Sequence, residues 1–485
     1  MRFERVLLVN PPSHGEWRGI RPHIGLGYLS EFLDANGIEH GVLDMNLGHG
    51  VSDLLRRVEE FKPDLVGMTL LTMECRTFYD ILRRLKEAYP DVRIVVGGPH
   101  VTIFRERVLE ECAAADYAVV QEGEHTLVEL CQGADEAQIA GLAYRRNGEV
   151  VYTGDRAFEM DLEQLPWPRY ERFELDRYIP EVEIYSSRGC PHECIFCPNR
   201  LISPVFRTRR AESIVEEMAY WHGCGYRLFN FDDDNFNMVR QRALDICDEI
   251  ERAGLSDVVL RLSNGIRADR CDRELLARMK EVGFTYIAFG ADAGNDRMLQ
   301  IVKKGETIAD IEQAVAAATD LGYETKLLFV VGTPYETWED VEDKVRLSQR
   351  YPVQDVHFYN IIPYPGTELF DWIKENGYFL LDPEDYLNRV SPMKNIPIFE
   401  TPELPAAKRV ELFKYLERVR RGIHRNAARR LFRSPILGQM AGWLAGSSAF
   451  TDAFYRYPFV RSAVDRVRYG ARTQHPARRS ARSHV

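Results

Sequence analysis

Two successive series of short β-branched segments, separated by amphipathic stretches, constrain this chain to an α/β fold. The stretches between the segments have apolar residues at helical spacing, which is the pattern of βαβ units in a parallel sheet. The first series predicts a Rossmann-like N-terminal domain. Its five predicted strands are VLLVN (6–10), HGVLD (40–44), DLVGMT (64–69), RIVVGG (93–98) and YAVV (117–120).

The second series contains six strand-like segments, so it predicts a partial (β/α)6 barrel of the TIM type, with functional residues at the carboxyl ends of the strands. A hairpin signal at Asn147-Gly148 lies between the two series. After about residue 385 the remaining chain reads as a helical, basic region whose last fifteen residues are disordered. The predicted domains are 1–135, a connector at 136–180, the barrel at 181–385 and the helical region at 386–485. The six segments are VEIYSS, YRLFNF, VVLRLS, YIAFG, KLLFVVG and VHFYNII.

The composition and charge of the chain argue against a membrane-spanning, a secreted and a nucleic-acid-binding protein. The chain has 485 residues, of which 45% are hydrophobic and 28% are charged, as in soluble globular proteins. Its net charge is -11, although the chain after residue 401 is basic, and an acidic main body argues against a nucleic-acid enzyme. No apolar run reaches the roughly 18–20 residues of a membrane span, and no signal-peptide cleavage site follows the first strand. We therefore expect a cytoplasmic protein with reduced thiols.

Three cysteines form the strongest local signal. Cys190, Cys194 and Cys197 lie in the segment SSRGCPHECIFCPNR, spaced C-x3-C-x2-C, directly after the first strand of the second series. Three thiolates in one loop can bind three irons of a 4Fe-4S cluster, which normally takes four cysteines. Without a fourth cysteine nearby, one iron stays open to a non-protein ligand. A structural zinc site is the alternative, but it needs a fourth ligand, and His192 is poorly placed to provide it.

This spacing at the end of the first strand of a six-fold βα barrel resembles the radical S-adenosylmethionine (radical SAM) superfamily. The resemblance implies that SAM chelates the open iron and is cleaved to a 5′-deoxyadenosyl radical, which abstracts hydrogen from an unactivated carbon. It also implies SAM contacts near the strand ends. In related sequences GADAG (290–294) often reads Gly-x-Glu-Ser-Gly, so Asp292 is a departure. The residues that match SAM-binding positions are Phe196, Asp233, Asp234, Asn264, Arg267 and Asp292.

The first series is similar to the domain that precedes the barrel in the cobalamin-binding branch of this superfamily. The matching segments are PHIGLGYLSEFL, GGPH and EGEHTLVEL. The resemblance implies that the corrin ring binds at the strand ends. The implied cobalamin contacts are Pro12, Asn46, Thr69, Leu71, Gly97, Gly98, Pro99, Glu122, Gly123 and Glu124.

One position departs from the classical cobalamin pattern. Classical domains contain Asp-x-His-x-x-Gly, whose histidine ligates cobalt, whereas this chain has Asp44-Met45-Asn46, and His49 is out of register. Asn46 cannot readily replace an imidazole ligand. We therefore expect cobalt without a protein imidazole on its lower face. The alternative is a vestigial Rossmann-like module that binds no corrin.

The resemblance implies a cobalamin-dependent radical SAM enzyme whose leading activity is methylation of an unactivated carbon of a small-molecule or lipid-like substrate. Cyclisation or rearrangement by the same cofactors is the first alternative, and a non-catalytic iron-sulfur protein is the second. A methylthiotransferase acting on nucleic acid or ribosomal protein is a third, but the front-domain cysteines Cys75, Cys112 and Cys131 lie on separate elements. The cluster needs a reducing electron donor such as flavodoxin or ferredoxin.

The basic C-terminal region combines arginines with Trp, Phe and Tyr, for example in RRLFRSPILGQMAGWLAG. Basic amphipathic helices of this kind lie on anionic membrane surfaces, which predicts peripheral membrane contact. The other interpretation, which we favour, is a helical cap that packs its apolar face on the acidic main body.

Overall fold

The computed structural model describes residues 2–12, 20–388, 395–430, 436, 439–440 and 442. These residues divide into two compact units. The first falls within Met1–Ile179, Leu201–Ser203 and Glu384–Ser391, and the second within Pro180–Arg200, Pro204–Pro383 and Pro392–Val485.

The first unit contains a seven-stranded sheet of order β2-β1-β3-β4-β5-β6-β7. Strands β1 to β5 are parallel, and the order reverses between β1 and β3, which is where ligands of such sheets bind. All five predicted strands are present. The strands are β1 (Arg5–Asn10), β2 (Glu39–Asp44), β3 (Leu65–Thr69), β4 (Arg93–Gly97), β5 (Tyr117–Val119), β6 (Leu142–Arg146) and β7 (Glu149–Tyr152).

The hairpin predicted at Asn147-Gly148 is β6-β7, and β6 pairs antiparallel with β5. The hairpin therefore extends the first sheet, and it is not the separate connector that the sequence suggested, because β5 offers it a free edge. The helices of the first unit are α1 (Ile24–Ala35), α2 (Val51–Phe61), α3 (Cys75–Ala88), α4 (Pro99–Phe104), α5 (Arg107–Glu111) and α6 (Glu124–Gln132).

The second unit contains a six-stranded, all-parallel sheet of order β15-β14-β13-β12-β11-β8. Its strands are the six predicted from the sequence, and a short antiparallel pair, β9-β10, lies beside it. The strands are β8 (Val182–Ile184), β9 (Ser187–Arg188), β10 (Arg207–Thr208), β11 (Leu228–Phe231), β12 (Val259–Ile266), β13 (Phe284–Asp292), β14 (Glu324–Val331) and β15 (Asp355–Asn360).

Helices alternate with these strands, as a partial barrel requires. They are α7 (Asn199–Ile202), α8 (Ala211–Gly223), α9 (Arg240–Arg252), α10 (Arg273–Glu281), α11 (Asp296–Ile301), α12 (Ile308–Asp320), α13 (Trp338–Arg350), α14 (Glu368–Glu375) and α15 (Ala406–Arg430). Short 3-10 helices span Met45–Leu47, Glu136–Gln138, Leu162–Gln164, Leu175–Arg177 and Tyr386–Asn388.

The two faces of the second sheet differ in chemistry. Along β14, Thr325, Leu327, Phe329 and Val331 are fully buried, whereas the alternate residues are half-exposed. The half-exposed face carries charged and aromatic side chains, although barrel interiors are usually filled by branched aliphatic residues. We call this surface the polar face; its half-exposed members are Glu183, Arg261, Tyr286, Lys326, Asp355 and His357.

The first helix of the C-terminal region, α15, packs on the edge strand β15. Leu412, Phe413 and Leu416 are buried, and the Arg420 Nε lies 3.2 Å from Asp355 Oδ1. The described part of this region therefore behaves as a helical cap. The predicted membrane contact and disordered tail lie mostly outside the described residues. Among those described, no helix is both long and apolar enough to cross a membrane.

Gly294 tests the packing of the second unit. A Cβ at this position would lie 2.5 Å from the carbonyl carbon of Asp343 in α13, so Gly294→Ala forces backbone atoms apart. We expect a loss of about 1–3 kcal/mol in the free energy of unfolding, measured by chemical denaturation. Gly422→Ala in α15, where no atom lies within 4 Å, should instead stabilise by about 0.5–1 kcal/mol. Equal effects of the two substitutions would contradict the packing described.

Candidate functional site

The three predicted cluster cysteines follow β9 in one loop. Cys190, Cys194 and Cys197 are half-buried and form no disulfide. Burial raises the pKa of Cys194 to about 12 and that of Cys197 to about 11, while the cation of Lys304 opposes the shift at Cys194. Metal binding removes such thiol protons, and its affinity supplies the free energy needed.

The donor set fits an iron-sulfur cube. Cys190 and Cys197 both raise the pKa of Cys194, and Cys190 raises that of Cys197, so the three thiols lie close together. Within the part of the chain that the structure describes, no group of three or more His, Cys, Asp or Glu side chains converges on a single metal ion. A cube needs no such convergence, because each thiolate binds a different iron.

Backbone hydrogen bonds fix the middle of this loop. The Ile195 N–H donates to the Val302 carbonyl over 3.2 Å, and the Ile195 carbonyl accepts from the Leu369 N–H over 3.0 Å. Ile195 is buried, and its neighbour Phe196 is half-buried. The cysteine loop is therefore held between the end of α11 and the start of α14.

Two of the predicted SAM contacts, Asp233 and Asp234, follow β11. Asp233 is buried and accepts hydrogen bonds from the backbone N–H groups of Ser186 and Ser187. Asp234 is exposed and accepts from the Gly189 N–H. Both carboxylates therefore bind the chain around the cysteine loop, and their contact with SAM stays a prediction.

Arg267 is buried, and its guanidinium is already engaged. It forms a two-point contact with the Asp269 carboxylate at 2.9 and 3.1 Å, and it donates to the carbonyls of Lys304 and Gly305. The Arg267 guanidinium, which was expected to bind the SAM carboxylate, thus binds the Asp269 carboxylate of the protein. Its contact with SAM also stays a prediction.

Asn264 lies within β12, whose pairing with β13 is irregular between Leu262 and Ile266, and not after the strand as the sequence suggested. Its side-chain amide donates to the Asp233 carbonyl over 3.0 Å. This contact joins the second and third strands of the sheet at their carboxyl ends. A SAM contact of Asn264 remains a prediction.

Asp292, at the end of β13, pairs with a residue that sequence reasoning missed. Its Oδ2 lies 2.8 Å from the Nζ of Lys304, which is 9% exposed. Burial lowers the pKa of Lys304, but the charges of Asp292 and Glu306 outweigh it and raise the pKa, so the ammonium stays charged beside the cysteine loop. No local pattern marked Lys304, because it is one of two adjacent lysines twelve residues beyond its partner.

The predicted cobalamin contacts gather at the carboxyl edge of the first sheet. Pro12 follows β1, Asn46 follows β2, Thr69 ends β3, and Leu71 lies just beyond it. Gly97 ends β4, and the remaining positions follow β4 and β5: Gly98, Pro99, Glu122, Gly123 and Glu124. The strand pairing therefore brings these residues to one edge, and each contact with cobalamin stays a prediction.

The backbone conformation and close packing at position 98 require a glycine there. Its φ is +96°, and a Cβ there would lie 2.6 Å from Thr69 Oγ1. At Gly97, by contrast, an added Cβ would meet only ordinary contacts, the nearest being 3.7 Å from the Val119 carbonyl oxygen. Gly98 is thus required by the turn between β4 and α4. At Gly97 no contact within the protein requires a glycine, and the missing side chain leaves space at the edge of the sheet.

Asp44 binds the residue at the classical histidine position. Its Oδ1 accepts from the side-chain amides of Asn10 and Asn46, at 3.0 and 3.1 Å, and its Oδ2 accepts from the Tyr178 hydroxyl at 2.9 Å. Asn46 also donates to the Pro11 carbonyl. The Asn46 amide thus serves the local structure. His49 lies 2.6 Å from Glu174, so it is engaged elsewhere.

Gln121, just beyond β5, was also missed by sequence reasoning. Its φ is +65°, and its Oε1 is buried without a hydrogen-bond partner in the described residues. A buried acceptor without a donor is costly, so it indicates a ligand donor. Corrin side chains end in primary amides, which are such donors. The first unit therefore fits cobalamin at a position that adjoins the predicted Glu122.

Comparisons with known proteins match both units. The family models of the B12 binding domain and of the radical SAM superfamily match residues 15–131 and 184–347. "Uncharacterized methyltransferase PH0819" of Pyrococcus horikoshii is 30% identical over 398 residues, covering 78% of this chain and 85% of the relative. This chain belongs to the radical SAM enzymes with a B12-binding domain. The predicted cofactors, a 4Fe-4S cluster, SAM and cobalamin, are confirmed by these two domains.

Two further proteins are similar to this chain over most of its length. The anaerobic magnesium-protoporphyrin IX monomethyl ester cyclase of Rubrivivax gelatinosus is 25% identical over 423 residues, covering 82% of this chain and 75% of the cyclase. The radical SAM methyltransferase TsrM of Kitasatospora setae, solved with tryptophan and a SAM analogue, superposes with a TM-score of 0.71 at 19% identity, covering 95% and 99% of the chains. The predicted fold is therefore confirmed.

Cys194→Ala should abolish the cluster, because it removes one of only three thiolates. After anaerobic reconstitution, we expect the variant to lose the visible absorption and to retain little iron. Cys224→Ala, a half-buried cysteine at the end of α8, should retain both. A full cluster in the Cys194 variant would contradict the assignment.

Gln121→Met tests the open acceptor of the first unit. Methionine keeps the length of the side chain but removes the carbonyl, so cobalamin affinity should fall about tenfold, since a hydrogen bond contributes about 0.5–1.5 kcal/mol. Equilibrium titration of the purified protein with cobalamin measures the change. Gln132→Met, exposed at the other end of α6, should have no effect. Equal affinities for the Gln121 variant and the unaltered protein would remove Gln121 from the site.

Proposed function

We propose that this chain transfers a methyl group to an unactivated carbon of a polar small molecule. The observation that carries the proposal is the presence, in one chain, of the three-cysteine loop and the B12-binding sheet, together with a relative at 30% identity that is named a methyltransferase. When bound, the cofactors supply reductive cleavage of SAM to a carbon radical and a cobalt centre that can carry a methyl group.

The chain's own residues hold these cofactors in place. Cys190, Cys194 and Cys197 bind the irons, and Ile195 ties their loop to two helices. The ammonium of Lys304 lies beside this loop and offsets the negative charge of the thiolates. Such fixed positioning is the main contribution of a protein to cofactor chemistry.

The polar face of the second sheet supports a polar substrate. Arg261 lies 4.5 Å from the centre of the Tyr286 ring, and its guanidinium is 3.6 Å from Glu181. The Lys326 ammonium is 3.7 Å from Asp355. A lipid-like substrate would leave these charges without water, which is costly. We therefore favour a small molecule that forms hydrogen bonds; TsrM, solved with its substrate tryptophan, binds such a molecule.

Ring closure is the second candidate function, favoured by the likeness to the magnesium-protoporphyrin cyclases at 25% identity. Ring closure uses the same domains, so the site residues do not distinguish it from methylation. The mass of the product distinguishes the two reactions, because methylation adds a carbon atom and ring closure removes hydrogen. We further propose a flavodoxin or ferredoxin as the electron donor and a cytoplasmic location.

The deciding experiment supplies SAM with a deuterated methyl group. Reconstituted protein, cobalamin and reductant are incubated anaerobically with a cell extract divided into aqueous and organic phases. We expect 5′-deoxyadenosine together with a trideuteromethylated product in the aqueous phase, both measured by mass spectrometry. Label in the organic phase would instead show a lipid-like substrate. An unlabelled product that has lost hydrogen would show ring closure.

Lys326→Met extends this test to the polar face. The substitution should reduce the yield of labelled product, because it removes one cation from the surface that we propose binds substrate. Reductive cleavage of SAM without substrate should not change. Lys374→Met, exposed on α14, is the matched control. Unchanged product from the Lys326 variant would place the substrate elsewhere.

A further inference from the structure

Two of the aspartates that follow β11, Asp233 and Asp234, contact the chain at and before the cysteine loop. Asp233 accepts from the Ser186 N–H at 2.7 Å and from the Ser187 N–H at 3.0 Å, and its second oxygen accepts from the Ser186 hydroxyl. Arg242 donates to the Ser186 carbonyl. The chain that leads into the loop is thus fixed by a buried carboxylate and a buried guanidinium.

Asp234 contacts both ends of the loop itself. Its Oδ2 accepts from the Gly189 N–H at 3.0 Å, and its Oδ1 accepts from the Asn199 side-chain amide at 2.5 Å. Gly189 immediately precedes Cys190, and Asn199 follows Cys197 by two residues. One carboxylate therefore closes the base of the segment that carries all three thiols.

We propose that Asp234 is a positioning residue that holds the cysteine loop closed and so retains the cluster. The inference rests on the proposed function only in requiring that the cluster is bound. This role is distinct from the expected contact of Asp234 with SAM, which stays a prediction. Closing a loop in advance reduces the conformational entropy lost when the three thiolates bind the cube.

The contribution of Asp234 comes from its two hydrogen bonds, one to each end of the loop. An asparagine at 234 removes the charge but can accept only in place of one carboxylate oxygen, so it separates charge from geometry.

The test measures cluster loss without SAM. Reconstituted full-length protein is mixed anaerobically with excess EDTA, and the decay of visible absorption and the iron per chain are followed. We expect Asp234→Ala to lose its cluster about tenfold faster, as expected for about 1.4 kcal/mol of lost hydrogen bonding to a charged group. Asp234→Asn should be intermediate. Asp245→Ala, an exposed carboxylate on α9 that accepts from Gln241, should match the unaltered protein.

A double-mutant cycle connects the effect to the contact. Asn199→Ala should accelerate cluster loss less than Asp234→Ala does, and the double variant should decay no faster than Asp234→Ala alone, because the two side chains share one hydrogen bond. Additive effects would contradict the inference. Circular dichroism of the cluster-free variants checks that each is folded. If Asp234→Ala does not fold, the rate of cluster loss of Asp234→Asn is compared with that of the unaltered protein instead.

SAM affinity per loaded cluster completes the comparison. Unchanged affinity with faster cluster loss supports the positioning role. Unchanged cluster loss overturns it, and weaker SAM binding in that case would restore Asp234 as a SAM contact. Failure of the unaltered protein to load any cluster is a separate result, which would overturn the proposed function itself.

Discussion

Parallel strand pairing is the constraint on which both units depend. Parallel strands end at one edge, so residues far apart in the chain meet there without contacts between their own segments. In the first unit this pairing gathers the residues after β1 to β5, and in the second it places the cysteine loop beside the aspartates that follow β11. The order of the strands therefore determines where each cofactor site lies, and the loops after the strands provide its functional side chains.

The fold could be predicted from the sequence because strand periodicity and helix periodicity are local signals. All eleven strands expected for the two parallel sheets are present within a few residues of their predicted bounds. Candidate residues such as Asp234 and Arg267 were also found, but their partners were not, since hydrogen bonding is decided by neighbours distant in sequence. Lys304 and Gln121 were missed for the same reason: neither belongs to a motif, and only burial distinguishes them.

Asn46, at the position of the classical histidine, belongs to a hydrogen-bond network around Asp44. Asp44 accepts hydrogen bonds from the side chains of Asn10, Asn46 and Tyr178. The carboxylate is 3% exposed, so loss of these donors would leave a buried charge without compensation. Retaining a polar side chain at position 46 preserves this arrangement without providing an imidazole.

The packing of α15 against β15 has a consequence for the borders of the second unit. A six-stranded sheet that does not close has two edge strands, and an exposed edge pairs readily with other chains. Arg420 of α15 holds Asp355 at the start of this edge, and the helix buries Leu412 and Leu416. A fragment that ends before residue 406 would expose the edge strand β15. We expect such a fragment to self-associate before its cysteine loop is disturbed.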